Sequence, residues 1–141
     1  MKKVLLDLNI ILDFLGKRDD HEAAVAIYDH CIRKNVKGFI CSHEITTLSY
    51  FLEKEKYPVR KRNEIITKLL DELSVLTAHE QILRNALVSK IKDFEDAVID
   101  ELALKEGIDI LVTRNIKDFS KSKNTVMNAR ETLEYLEDEL E

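Results

Sequence analysis

Glycine and proline are scarce in this 141-residue chain, with three of the first and one of the second, and tryptophan is missing altogether. A β-sandwich or barrel needs Gly and Pro at its many tight turns, so their scarcity argues against those folds. Cysteine is nearly absent too. Cys31 and Cys41 are too few for a disulfide scaffold or a thiolate metal site, neither stands in a Cys-x-x-Cys pair, and both read as buried free thiols. Long hydrophobic runs are lacking: nothing approaches the roughly 18 apolar residues of a membrane span. The opening Met1-Lys2-Lys3 leads into a short apolar stretch broken by Asp7, which is not the longer uncharged core of a secretory signal. A cytoplasmic protein without a membrane partner is expected. What the chain does have is apolar content, 45% of its residues, a share that suits one packed domain and excludes general disorder.

Positive charge is in deficit, with 22 Lys and Arg against 27 Asp and Glu for a net of −5, which at first weighs against a nucleic-acid partner. The distribution reverses that reading. Residues 129–141 hold six acids against Arg130 alone, while the preceding 128 residues carry 21 acids and 21 bases. The expected organisation is therefore one domain over residues 1–128, with 129–141 as an acidic C-terminal helix or tail of the same domain. Within the neutral body two loops are basic. One carries Lys54, Lys56, Arg60, Lys61 and Arg62, the other Arg114, Lys117, Lys121 and Lys123.

Val4-Leu5-Leu6-Asp7-Leu8 is apolar at nearly every position, as in a strand covered on both faces. Residues 38–41, 74–77, 108–113 and, more weakly, 125–127 predict four further strands. Helical periodicity lies between them. Ala24, Ile27, Tyr28 and Cys31 share a face over 21–34, and Ile45, Leu48, Phe51 and Leu52 share one over a segment that ends before Pro58. Ile65, Ile66, Leu69, Leu70 and Leu73 form a third set, and Ile82, Leu83, Ala86 and Leu87 a fourth. Phe94, Ala97, Val98 and Leu102 face inward from a helix that Gly107 ends, and Leu133, Leu136 and Leu140 mark a last helix. Strands alternating with helices predict an α/β fold, a central parallel sheet of about five strands flanked by helices. Sites in such sheets gather beyond the carboxyl ends of the strands.

Asp7 is an ionisable group inside an apolar strand, costly there unless paired, bonded or bound to a metal; capping the next turn with Asn9 is its structural alternative. Asp13 reads as helix surface. Asp93 precedes the 94–106 helix in an N-cap position, and Asp96 lies one turn in. Thr113, Asn115 and Asp118 leave the fourth strand through a polar turn, where backbone capping is the plain explanation. Convergence is what singles these residues out, since Asp7, Asp96 and Asp118 come from separate βα units that reach one edge of the sheet. Three carboxylates there repel unless a cation neutralises them, and an all-oxygen donor set suits Mg²⁺ or Mn²⁺ rather than zinc. The four histidines, His21, His30, His43 and His79, have no metal-ligand spacing.

Three segments together carry a resemblance: Val4–Asp13, then Asp93-Phe94-Glu95-Asp96-Ala97, then Val112–Phe119. In order and spacing they resemble the signature segments of PIN domains, and the likeness spans residues 1 to 128, nearest to small single-domain proteins of the VapC toxin type. The resemblance implies a Rossmann-like PIN fold and a Mg²⁺- or Mn²⁺-dependent ribonuclease, the toxin component of a toxin–antitoxin pair. Its partners would be an RNA substrate, an antitoxin protein and a second copy in a homodimer. Carried over by position, Asp7, Asp96 and Asp118 would hold metal and serve catalysis, with Thr113, Asn9, Asp93 and Asn115 in support and Arg114, Lys117 and Lys121 on RNA. Two departures stand out. Asn115 occupies the place of the last acid in many members, so Asp118 would carry that charge. The family's Glu on the helix after the second strand aligns with Thr47, so Glu44, one helical turn earlier, would replace it.

Other classes fit less well. A haloacid dehalogenase-type phosphotransferase wants Asp-x-Asp, and Asn9 replaces the second acid; a receiver domain wants adjacent acids after the first strand. The non-enzymatic alternative is a PIN-like nucleic-acid-binding or scaffold module with a degenerate active site, to which Asn115 and the displaced Glu44 lend weight.

Overall fold

The structure, a computed structural model, describes the chain except Lys17, Asp19, Glu141 and the side chain of Leu140. It consists of β1 (Lys3–Leu6), α1 (Leu8–Gly16), α2 (His21–Ile32), β2 (Lys37–Cys41), α3 (Ser42–Lys54), α4 (Val59–Glu72), β3 (Ser74–Leu76), α5 (Glu80–Leu87), α6 (Phe94–Glu106), β4 (Ile110–Val112), a 3₁₀ turn (Ile116–Phe119), β5 (Val126–Met127) and α7 (Ala129–Leu140). All strand pairs are parallel, and the strands run in the order β3-β2-β1-β4-β5.

The period-two alternation of each strand divides the core. Val4 and Leu6 of β1, Ile40 of β2, and Ile110 and Val112 of β4 pack on one face against residues of α1, α2, α3, α4 and α7. Leu5, Phe39, Cys41 and Leu111 project to the other face, against α5 and α6. Each fully buried Leu or Ile contributes about 1.5–3 kcal/mol, so both faces are needed to hold a sheet this small. Cys31 and Cys41 are buried free thiols. Among the described residues no helix is long and apolar enough to cross a membrane.

Several boundaries and faces differ from the sequence-based expectation. β1 ends at Leu6, and Leu8 opens α1, so Asp7 stands between strand and helix rather than inside a strand. Leu8 is buried in either conformation, which is why its apolar character does not distinguish them. Phe94, expected to face inward, is exposed because it occupies the first position of α6, ahead of the buried run that starts at Ala97. Leu70, Leu83 and Leu87 are exposed as well, leaving Leu69, Leu73, Ile82 and Ala86 to fill their helices' contacts with the core. The inward face expected of Leu140 lies outside the described residues. Gly107 does end α6, in the left-handed conformation (φ 74°) that costs other residues most.

The strand order places the reversal of chain direction between β1 and β4: the chain winds outward from β1 to β3, then returns to lay β4 on the opposite side of β1. Open α/β sheets bind ligands at such a switch point, beyond the carboxyl ends of the strands. Asp7 follows β1 there, and Thr113 follows β4.

Candidate active site

Asp7 is held by the backbone on both sides of its strand end. Its N–H donates to Val112 O at 3.0 Å, and its C=O accepts from Ile10 N at 3.0 Å, starting α1. The carboxylate, 7% exposed, accepts from Leu8 N on Oδ1 (2.8 Å) and on Oδ2 from Thr113 Oγ1 (2.7 Å) and Asn9 Nδ2 (3.2 Å). Asn9 joins this group by two further bonds, Nδ2 to Thr113 Oγ1 at 3.3 Å and Oδ1 accepting from Arg114 N at 3.1 Å. Thr113 Oγ1 also accepts from Asn115 N at 3.1 Å, so Asn115 acts here through its backbone. A buried carboxylate is tolerated when its oxygens are bonded in this manner.

Glu44 comes to the same place from the first turn of α3. It is 1% exposed, and its Oε2 accepts from Leu8 N at 2.9 Å, so one backbone N–H is shared by Asp7 and Glu44. Burial first, then a hydrogen bond and charge from Asp7, push the Glu44 carboxyl well above its ordinary pKa. Its Oε1 is buried and has no hydrogen-bond partner. Thr47 turns back on its own helix instead, donating to His43 O at 3.2 Å, and Glu44 is thus the α3 residue that meets Asp7. His43 is half-buried, with Nε2 3.8 Å from Glu95; burial lowers its pKa, and Nε2 makes no hydrogen bond.

The second acidic group lies on α6 and the 3₁₀ turn. Asp93 caps α6, its Oδ1 accepting from Asp96 N at 2.9 Å. Asp96 is half-buried, and its pKa is pushed up to about 7, first by burial and then by the charges of Asp93, Asp7, Asp118 and Glu95. Asp93, Asp96 and the exposed Asp118 line an open cavity of about 390 Å³, together with Lys90, Lys92, Lys117 and Lys121. Asp7, Asp96 and Asp118 are expected from sequence to share one pocket; Asp7 does not line the cavity that holds the other two, although Asp96 feels its charge. Among the described residues no three His, Cys, Asp or Glu side chains are close enough to hold a metal ion. The carboxylates form two groups, Asp7 with Glu44 at the switch point and Asp93, Asp96 and Asp118 around the cavity.

A hard divalent cation nevertheless matches the chemistry of the donors. They are all oxygens, Glu44 Oε1 is a buried acceptor without a donor, and burial first, then neighbouring carboxylates, raises the pKa of both Glu44 and Asp96, a cost that a cation would offset.

Two further findings alter the charge picture. Asp13, read from sequence as helix surface, is 1% exposed and bound to Arg114 Nη1 at 2.6 Å, because α1 turns this face toward the end of β4. Arg114 is thereby directed to α1 and does not line the cavity, whereas Lys117 and Lys121 do. Sequence reasoning also misses Asp100 and Glu101, buried in the middle of α6. Asp100 accepts from Ser122 Oγ, from Asn124 Nδ2 (2.7 Å) and from Lys123 N (3.2 Å), and Glu101 pairs with Lys123 Nζ at 3.0 Å. These bonds tie α6, which carries Asp96, to the segment just after Asp118. The available signal was two adjacent acids inside an apolar helical stretch.

A family model described as PIN domain matches residues 3–117, which include Asp7, Glu44, Asp96 and Thr113 and stop one residue short of Asp118. No curated protein matches. Among solved structures, the chain is similar in fold to VapBC2 from Rickettsia felis bound to a promoter DNA fragment (20% identity, 89% of this chain and 98% of that chain, TM-score 0.65). A toxin–antitoxin complex from Klebsiella pneumoniae is also similar (19%, 89% and 97%, TM-score 0.68), as is PAE2754 from Pyrobaculum aerophilum (21%, 97% and 96%, TM-score 0.66).

Proposed function

The chain belongs to the PIN domain family, and from that premise we propose that it is a Mg²⁺- or Mn²⁺-dependent endoribonuclease, the toxin component of a toxin–antitoxin system. Nuclease activity is general in the family, and the relatives of similar fold include chains of toxin–antitoxin complexes. The observation that carries the metal-dependent part is Glu44 Oε1, buried beside Asp7 with no donor. An apolar or amide side chain would fill this place at lower cost, and a cation would offset the cost of the carboxylate that stands there.

In this reading Asp7, Asp96 and Asp118 would hold the metal, which requires the two sets of carboxylates to draw together on binding, and Glu44 would complete the set directly or through water. The bound cation would lower the pKa of the attacking water and offset charge on the phosphoryl and leaving oxygens. Thr113 and Asn9 fix the Asp7 carboxylate by hydrogen bonds, Asp93 fixes the start of α6 beneath Asp96, and Asn115 closes the turn after β4 through its N–H. Lys117 and Lys121 would meet substrate phosphates, which position a strand without reading its sequence. The partners proposed are an RNA substrate, an antitoxin protein and a second copy of the chain; the exposed Val25, Ile32, Tyr50 and Phe51 on α2 and α3 offer apolar surface for one of the last two. The setting proposed is the cytoplasm.

The test is cleavage of RNA by purified protein with Mn²⁺ or Mg²⁺, with EDTA, and with Asp7→Asn and Asp96→Asn. Each substitution should lower the rate by about 10²–10³-fold, the scale expected on removing one main electrostatic contributor. Mn²⁺ should raise the melting temperature of the wild type and not of Asp7→Asn. Full activity in either variant would remove that residue from the site. Metal-independent melting together with no cleavage would favour the degenerate binding module.

A further inference from the structure

The ion pair between Asp13 and Arg114 stands beside the Asp7 group but takes no part in the chemistry proposed above. We propose that the two are positioning residues: Asp13, on α1, holds the guanidinium of Arg114 so that the segment after β4 keeps Thr113 fixed on the Asp7 carboxylate ahead of cation binding. The proposal rests on the metal-dependent part of the reading above, and it takes Arg114 out of the RNA contacts expected from sequence.

Asn9 and Asp13 are four residues apart on α1, so their side chains stand one above the other on a single face. Both meet Arg114. Asn9 Oδ1 accepts from the Arg114 backbone N–H at 3.1 Å, and Asp13 Oδ1 accepts from Arg114 Nη1 at 2.6 Å. One residue is thus gripped at its backbone and at the far end of its side chain by one helix face. The residue so held is the link between Thr113, whose Oγ1 donates to Asp7 Oδ2 at 2.7 Å, and Asn115, whose N–H donates to that same Oγ1 at 3.1 Å. Movement of Arg114 away from α1 would carry Thr113 off the Asp7 carboxylate. Asn9 closes the circuit from the other direction, since its Nδ2 donates to Asp7 Oδ2 at 3.2 Å and to Thr113 Oγ1 at 3.3 Å.

The anchor is itself fixed. Asp13 is 1% exposed, and its backbone C=O lies 3.0 Å from His21 Nδ1 at the start of α2. A carboxylate taken this far out of water is costly to leave unpaired, which holds the guanidinium to one place. A surface phosphate, screened by salt, would repay poorly the loss of that buried contact. Lys117 and Lys121 are differently placed, lining the open cavity, so the positive charge directed at substrate is theirs and the charge of Arg114 serves the site from behind.

The test separates positioning from folding and from RNA binding, with full-length protein kept below the melting transition of every variant. Mn²⁺ affinity is read from the electron paramagnetic resonance of the free ion, RNA affinity from titration of a fluorescent oligouridine in EDTA, and stability from thermal melting in EDTA. Arg114→Met leaves Asp13 buried without its guanidinium and should lower the melting temperature sharply. Asp13→Leu with Arg114→Met replaces the pair by apolar side chains and should recover most of that loss. The Mn²⁺ Kd of this double variant should still be raised about fivefold, less than the roughly tenfold or more that follows loss of a residue bonded to the ligand itself. Its RNA affinity in EDTA should stay within about twofold of wild type, because no phosphate contact is removed. Tyr28→Phe loses a bond to Glu72 (2.8 Å) between α2 and α4, and it should lower the melting temperature without moving the Mn²⁺ Kd. A stable double variant that binds Mn²⁺ as the wild type does overturns the proposal, as does an equal loss of Mn²⁺ affinity in Tyr28→Phe. RNA affinity lost while Mn²⁺ binding stays intact also overturns it and returns Arg114 to the substrate. A wild type that binds no Mn²⁺ ends the metal-dependent reading and this proposal with it, whereas Mn²⁺ bound equally by wild type and double variant removes the proposal alone.

Discussion

Asp7 and Asp96 both stand at the carboxyl edge of one sheet, yet their surroundings are opposite. Asp7 is buried, and its oxygens are engaged by a backbone N–H, a threonine hydroxyl and an asparagine amide, all from the residues around β1 and β4. Asp96 is half-buried and borders an open cavity that it shares with two other aspartates and four lysines. The first environment fixes a carboxylate in place. The second makes charge on a partly buried carboxylate costly, a cost that a bound cation would lower. The difference suggests a division of labour in which the β1–β4 side sets the position of a bound cation, and the α6 side supplies negative charge that the cation neutralises.

The comparison would be broken most forcefully at Asp100, because the open side has its support there. Asp100→Ala removes the buried acceptor for Ser122 Oγ, Lys123 N and Asn124 Nδ2, leaving part-buried donors unpaired. The expected loss is about 2–4 kcal/mol in chemical denaturation. Cleavage should fall at temperatures where the variant is still folded, since the segment carrying Asp118 and Lys121 would no longer be tied to α6. A loss below about 0.5 kcal/mol would mean that the open side needs no such backing.

Thr113→Val sharpens the same comparison from the bonded side with a smaller effect. It keeps the shape and removes the donor to Asp7 Oδ2 and the acceptor for Asn115 N. Stability should drop by about 1 kcal/mol. The Mn²⁺ concentration needed for half of the melting-temperature rise should increase on the order of tenfold, the usual result of loosening a ligand's hydrogen-bond support. If that concentration does not move, Asp7 is oriented by Leu8 N and Asn9 without help from the threonine.

These two residues also illustrate what could be read in advance. Asp7 stood out because an acid beside four apolar residues is anomalous, and Asp96 because it lies one turn past a capping aspartate and before Ala97 and Val98. The parallel sheet followed from short apolar runs separated by helical periodicity. Asp13, Asp100 and Glu101 are invisible for a common reason: their partners Arg114, Asn124 and Lys123 lie 101, 24 and 22 residues away, so only the folded chain brings them together. α6 deepens the difficulty, since seven consecutive residues from Ala97 to Ala103 are buried and an all-round buried helix has no polar face to betray its phase. Lys90 and Lys92 carry no marker in the sequence beyond being basic, whereas Lys117 and Lys121 already read as RNA contacts there, and Phe94 reads as core because apolar character alone says nothing of a helix's first position.

The smallest expected effect, and the one most specific to the open side, is a pH slope. The Asp96 carboxyl has its pKa raised from 3.8 to about 7 in the folded chain, so the folded protein binds that proton more tightly than the unfolded one. The stability this confers is fully present below about 3.8 and is lost as pH rises through about 7. Glu44, also raised, acts in the same sense. Asp96→Asn has no such proton to lose, so in EDTA its stability relative to wild type should improve steadily between those two values and level off above the upper one. Urea denaturation of both proteins across that range measures the difference directly. Adding Mn²⁺ at the alkaline end should restore the wild type more than the variant, because the cation takes over the proton's place as the offsetting charge. A constant difference at every pH would show that Asp96 ionises as freely in the fold as in water, and the contrast between the two sides would then rest on hydrogen bonding alone.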